Sequence, residues 1–237
     1  VKGRKLDVRM STMPVEYGES AVLRVLDQST GITNLDDSGM SPSMLREFRR
    51  MIHMPYGLIL VTGPTGSGKT TTLYGALAEL NQAGQKIITA EDPVEYKISR
   101  INQVQINSGI GLTFANVLRA SLRQDPDIIL VGEIRDVETA EISLRAAMTG
   151  HLVLSTLHTN DAISSAMRLM DMGVESFLAA SSLRAIVAQR LMRKLCDECA
   201  VPHIPDKVEV SWLERYLDKV VVEQARLRRP VGCHNCN

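Results

Sequence analysis

The residues best suited to chemistry begin with Gly63-Pro64-Thr65-Gly66-Ser67-Gly68-Lys69-Thr70, which satisfies the spacing G-x-x-x-x-G-K-[ST]. The run follows the apolar stretch Leu58-Ile59-Leu60-Val61-Thr62 and precedes a helical pattern over 71–83, the strand, loop and helix context this motif requires. Small residues let the backbone wind tightly and turn its N–H groups towards phosphate, and the positive end of the following helix adds to them. These eight residues and Thr71 are therefore the candidate nucleotide-binding set. Lys69 would reach the β- and γ-phosphates of ATP, and the Thr70 hydroxyl would sit on Mg²⁺.

A second set of candidates follows from position. In an open parallel sheet, ligands sit outside the carboxyl ends of the strands, so residues just after each strand can meet the phosphates. After the run 86–90 come Glu91-Asp92-Pro93-Val94-Glu95, after 127–131 come Gly132-Glu133, and after 152–156 come His158 and Asn160. Hydrolysis needs a Mg²⁺ site and a residue that orients the attacking water. Glu133 fits a Walker B carboxylate, although Gly132 stands where an aspartate is usual, leaving Glu133 to hold Mg²⁺ through water or to polarise the nucleophile. Glu95 is the preferred water-orienting base and Glu91 its competitor. Asp127 reads as a cap or turn residue at the other strand end. His158, at the ligand end, is the better functional candidate of the pair His151 and His158; it could sense γ-phosphate or contact a neighbouring subunit.

The third set is sulfur. Cys196-Asp197-Glu198-Cys199 and Cys233-His234-Asn235-Cys236 supply four thiolates at spacings that suit tetrahedral Zn²⁺. Both C-x-x-C pairs belong to a protein that must meet ATP, which favours metal over disulfides. His234 or His203 could substitute as a ligand. Such a closed site is structural and carries no catalysis.

These groups need elements to hold them. The runs 58–62, 86–90, 127–131 and 152–156 are too apolar for one-sided strands and suit a parallel sheet covered on both faces. Helices are expected over 43–53, 71–83, 114–123, 137–148 and 162–172, with a longer one over 175–194. Met167, Met170 and Met172 read as core filling. Leu213, Tyr216, Leu217, Val220 and Val221 suggest one amphipathic helix packing on the cysteine site. At the front, 6–10 and 21–26 read as antiparallel strands left from a preceding domain, with Arg9 and Arg24 as solvent-facing strand arginines. The polar stretch 29–42 reads as a linker.

The 237 residues carry 27 basic and 27 acidic side chains, a formal net charge of zero that indicates no bulk attraction to nucleic acid or anionic membrane. No apolar run approaches the roughly 20 residues needed to cross a bilayer, so a soluble protein is expected. The chain starts at Val1 without a targeting pattern and ends one residue after a cysteine, so it reads as a fragment of something longer.

Taken together, 63–70, the 91–95 acidic box, 127–136 and 149–160 resemble the Walker A, Asp-box, Walker B and His-box motifs of the secretion-superfamily ATPases. The four cysteines narrow the resemblance to the branch that drives type II secretion and type IV pilus extension; retraction ATPases generally lack them. Arg9 and Arg24 match arginines of the domain that precedes the ATPase core, which makes them candidate γ-phosphate or interdomain arginines. The resemblance implies an α/β fold. Residues 1–28 would be the end of a preceding PAS-like α+β domain, 29–42 a linker, and 43–237 a RecA-like P-loop core with a parallel sheet, including a zinc-bound insertion over 195–237. It also implies ATP, Mg²⁺ and Zn²⁺ as cofactors, and a homo-hexamer at the cytoplasmic face of the inner membrane. That ring would be held there by partners, through an inner-membrane platform protein and the pilus or secretion assembly components, and no nucleic acid is expected. The rival reading is a RecA-like nucleic-acid-dependent ATPase that uses the zinc element for binding, disfavoured by the neutral charge and scarce aromatics. A third is a non-hydrolysing nucleotide switch or assembly scaffold.

Overall fold

A computed structural model describes residues 6–27 and 34–236. The first five residues of the expected preceding domain, and residues 28–33 at its junction with the expected linker, lie outside the described residues. Leu6–Val15 (β1) and Gly18–Asp27 (β2) pair antiparallel, with Arg9 opposite Arg24. After a short 3₁₀ turn that buries Leu35 come Pro42–Ile52 (α1), Gly57–Thr62 (β3), Lys69–Leu80 (α2), Ile87–Glu91 (β4), Asn102–Gln105 (β5) and Phe114–Ser121 (α3). Next follow Ile128–Val131 (β6), Val137–Met148 (α4), Leu152–Leu157 (β7), Ala162–Asp171 (α5), Ser176–Ser182 (α6) and Leu183–Ala188 (β8). The last elements are Val201–Pro202 (β9), Lys207–Leu213 (α7), Lys219–Gln224 (α8) and Arg228–Arg229 (β10). The chain divides into two units, Val1–Leu191 and Met192–Asn237.

The larger unit is built on a six-stranded parallel sheet in the order β5-β4-β6-β7-β3-β8. Successive residues of a strand face opposite sides, and both sides are apolar here. Leu58 and Leu60 of β3 pack with Leu118, Leu144 and Leu178 on one side, while Ile59 and Val61 pack with Phe48, Ile52, Leu73 and Leu77 on the other. A sheet covered on both faces is what near-continuous aliphatic strands require. The helices that cover it are capped at their starts by side chains that accept a backbone N–H: Ser41 for α1, Thr113 for α3, Asp136 for α4 and Asp161 for α5.

Three expectations are corrected and one strand was missed. The helix over 175–194 is instead α6 followed by β8, which pairs with β3 in parallel; sheet pairing overrides the helix preference of its Ala, Leu and Arg residues. Strand β5, polar and short, carries no periodic apolar signal and was not expected. Met167 and Met170 lie on the exposed side of α5 and fill no core, whereas Met172 is half-buried against it. In the smaller unit two short helices replace the single amphipathic one. Tyr216, Leu217, Val220 and Val221 are exposed, and Val222 is the buried residue instead.

Candidate active site

Glycine at three positions shapes the loop between β3 and α2. Gly63, Gly66 and Gly68 have φ of 143°, 78° and 83°, where a side chain is strained. Two of them also lack room: a Cβ on Gly63 would stand 2.2 Å from the Gln189 carbonyl oxygen, and one on Gly68 2.9 Å from its side-chain nitrogen. The loop delivers the chain to α2 with Gly68 at the helix start and no side chain bonded to the first N–H groups. Those donors fit phosphate oxygens. Lys69 meanwhile donates to the carbonyls of Gly63 (2.8 Å) and Pro64 (3.0 Å). Burial holds its ammonium below the usual lysine range, against the opposing pull of the Glu133 charge.

A cavity of about 600 Å³ opens over this loop at the carboxyl edge of the sheet. Thr65 to Thr71, Glu91, Glu95, Glu133, His158 and Arg24 all line it. Gly63 and Pro64 lie beneath as the carbonyls that hold Lys69. Arg9 reaches the group through Glu95, at 3.4 Å from Nη2 to Oε2. The hairpin and the sheet edge thus bring together residues 86 positions apart. Asp127 is at the opposite edge, where its carboxylate accepts the Lys86 N–H at 2.6 Å.

The three glutamates are held differently. Glu133 is largely buried, accepts from Arg135, and lies 3.3 Å from His158 Nε2. Glu95 is partly exposed and its side chain meets only Arg9 among the described residues. Glu91 is 3% exposed, and its carboxylate accepts from the Tyr74 hydroxyl, from Thr89 Oγ1 and from Gln103 Nε2. Burial, and then the bond to Glu91, push the Tyr74 phenol well above its ordinary range, so it stays a donor. Gly132 now has a physical reason: a Cβ there would come within 3.2 Å of the Ala90 carbonyl oxygen, and its own N–H donates to that oxygen at 2.8 Å.

Sequence reading missed Gln189. Its N–H donates to the Thr62 carbonyl (2.8 Å), its side-chain nitrogen to the Ser67 carbonyl (2.7 Å), and its side-chain oxygen accepts from Thr72 Oγ1 (2.8 Å). One residue beyond β8 therefore braces both ends of the phosphate loop. Tyr74 and Gln103 were missed as well; the only available hint was a tyrosine on the buried face of a helix that begins with the motif lysine.

In the smaller unit Cys196, Cys199, Cys233 and Cys236 place their sulfurs within 4.8 Å of one another. Separations of 3.9 Å (Cys196 to Cys233), 3.5 Å (Cys199 to Cys236) and 3.7 Å (Cys233 to Cys236) exclude disulfides. They match the edge of about 3.8 Å expected for four sulfurs around one tetrahedral ion. The Cys196 thiol is drawn down to about 7 by the N–H of Cys199 and then that of Glu198. Against the lowering pull of the Cys233 backbone, the neighbouring Cys199 and Cys233 sulfurs push Cys236 up to about 12, so what fits the set to a cation is the spacing of its four sulfurs, which a metal binds as thiolates.

In the larger unit a glycine loop and post-strand glutamates meet at one edge of a doubly covered parallel sheet, and the smaller unit carries a four-sulfur cluster. The family model described as Type II/IV secretion system protein matches residues 1–237, and the chain belongs to that family. It is 57% identical over 237 residues to the type II secretion system protein HxcR of Pseudomonas aeruginosa, covering 100% of this chain and 46% of that protein. It is 50% identical to the type II secretion system ATPase E of Vibrio cholerae, with the same coverage. The chain thus spans about half the length of these relatives. Among solved structures, the pilus retraction motor PilT with bound ADP superposes with a TM-score of 0.67 at 33% identity, over 92% of this chain and 68% of that one. The Legionella pneumophila ATPase DotB gives 0.66 at 25% identity, over 92% and 63%. These likenesses bear out the expected RecA-like secretion-ATPase fold.

Proposed function

We propose that this chain is the ATP-hydrolysing core of a motor that drives pilin or pseudopilin assembly in a type II secretion or type IV pilus system. The observation that carries the reading is the convergence of Lys69, Thr70, Glu95 and Glu133 on one cavity in a chain of the secretion family. The loop from Gly63 to Thr71 holds the phosphates, with Lys69 exchanging loop carbonyls for the β- and γ-oxygens. Mg²⁺, held by the Thr70 hydroxyl and through water by Glu133, would neutralise charge on the transferred phosphoryl group. Glu95 orients a water and takes its proton as oxygen bonds to the γ-phosphorus and the bond to ADP breaks. Arg24 and Arg9 supply positive charge at the same edge, and His158 reports on it through Glu133. Glu91 supports the site from below.

The remaining assignments belong to the same reading. Residues 1–28 end a PAS-like domain, 29–42 link it, and 43–237 form the ATPase domain, in which 195–237 bind structural Zn²⁺ through the four cysteines. No helix among the described residues is long and apolar enough to cross a membrane. Attachment to the cytoplasmic face of the inner membrane would come through a hexameric ring and a platform protein.

Phosphate release from ATP tests the proposal. Lys69→Ala should abolish nucleotide binding; Glu133→Gln should keep binding and lower turnover by about 10²-fold or more. Wild-type turnover in Glu133→Gln rejects its role. Strong stimulation of turnover by DNA, falling steeply with salt, would make the chain a nucleic-acid motor instead.

A further inference from the structure

The acidic loop that carries Glu95 has no regular structure between β4 and β5, yet it is tied down at named points. The Glu95 N–H donates to the Tyr74 hydroxyl at 3.2 Å. The Tyr74 ring meets that of Tyr96 edge-on, with centroids 5.9 Å apart. Gln103 of β5 donates to the Tyr96 carbonyl (2.9 Å) and to Glu91 (3.2 Å), and accepts the Ile98 N–H (2.7 Å). All of these lines meet at Glu91, which Tyr74 and Thr89 also bond. A carboxylate buried to this degree is costly unless matched by donors. Glu91 is so matched, and its oxygens already accept from the protein.

We propose that the Tyr74 hydroxyl is a positioning group for hydrolysis: anchored by the buried carboxylate of Glu91, it holds the Glu95 peptide in place relative to the helix that begins at Lys69. Tyr74 and Lys69 share α2, so the phosphate-binding end of that helix and the water-orienting carboxylate move as one piece. A misplacement of about 1 Å in such a site costs on the order of 10²-fold in rate. Glu91 thereby acts at one remove from the reaction. The inference rests on the assignment of Glu95 as the water-orienting residue.

The test is a double-mutant cycle on the full chain, with kcat and the KM for ATP read separately. Tyr74→Phe keeps the ring and removes the hydroxyl. It should lower kcat by about 10- to 100-fold and leave the KM within about twofold. Added to Glu95→Gln, it should lower kcat no further, because the group it positions is already gone. Unchanged kcat in Tyr74→Phe, or effects that multiply in the double variant, would overturn the proposal. Wild-type turnover in Glu95→Gln would instead overturn the role of Glu95 itself, and this inference with it. If Tyr74→Phe does not fold, Gln103→Leu, which cuts the other tie between Glu91 and the loop, takes its place in the same cycle with the same readings.

Discussion

The two units of this chain are held together by different means. In Val1–Leu191 the core strands are buried along their whole length, with Leu58, Ile59, Leu60 and Val61 at 0% exposure. At roughly 1.5–3 kcal/mol for each fully buried aliphatic side chain, such a core offsets the cost of ordering its backbone. In Met192–Asn237 the only buried apolar residues among the described ones are Ala200 and Val222, while Ile204, Val208, Trp212 and Tyr216 face solvent. Two small side chains cannot offset an ordering cost of about 1–2 kcal/mol per residue over that length. A metal held by the cysteine cluster would supply the difference, since structural zinc sites provide about 10–16 kcal/mol at neutral pH. The contrast is between a glycine loop set by burial and hydrogen bonds within the chain, and a smaller unit whose four cysteines would need a metal to organise it.

The sharpest way to break this contrast is to remove the metal. Chelation, or Cys196→Ser, should unfold Met192–Asn237 and leave the larger unit standing. Limited proteolysis should then cut after residue 192 while the main thermal transition shifts little. Loss of both units together would mean that the larger one depends on the smaller, and full metal-free protection would remove the premise. A smaller effect is expected from the larger unit's own brace. Gln189→Ala removes two side-chain hydrogen bonds to the phosphate loop, each contributing about 0.5–1.5 kcal/mol. ADP affinity measured by calorimetry should weaken by about tenfold. Gln189→Glu should be worse, since it sets a carboxylate oxygen against the Ser67 carbonyl. Unaltered affinity in both variants would reduce the brace to a packing detail.

How much of this could be read in the sequence follows from the range of each interaction. The 63–70 loop, the core strands and most of the helix starts are local signals, carried by glycines, aliphatic runs and cap residues, and the structure agrees with them closely. The post-strand candidates were chosen because strand ends are predictable positions for a ligand. What escaped reading depends on partners far along the chain. Gln189 lay in a stretch whose Ala, Leu and Arg content reads as helix, and only pairing with β3 makes it a strand. Glu91 and Glu95 look alike in sequence. They differ because Tyr74, Thr89 and Gln103, spread over three elements, converge on one of them. Met167 and Met170 were misassigned because periodicity identifies a helix face without saying whether anything covers it.

The finest test compares helix caps in the two units. Asp136 caps α4 by accepting the Thr139 N–H at 2.8 Å and its hydroxyl at 3.0 Å. Asp206 caps α7 by accepting the N–H groups of Val208 and Glu209, each at 2.8 Å, within a capping box whose Glu209 also bonds His203 at 2.9 Å. Removing such a cap costs about 1 kcal/mol. In the larger unit, Asp136→Ala should appear as a loss of stability of that size, a fall of about 2–4 °C in the melting temperature, with the metal content unchanged. With zinc on the four cysteines, folding and metal binding in the smaller unit would be one equilibrium, and the same loss should appear in the binding constant. Asp206→Ala should weaken zinc affinity by roughly fivefold in a competition assay with a chromogenic chelator, and leave the main thermal transition where it was. Should Asp206→Ala lower that transition without changing zinc affinity, the smaller unit would possess a fold independent of its metal, and the contrast between the two units would be lost.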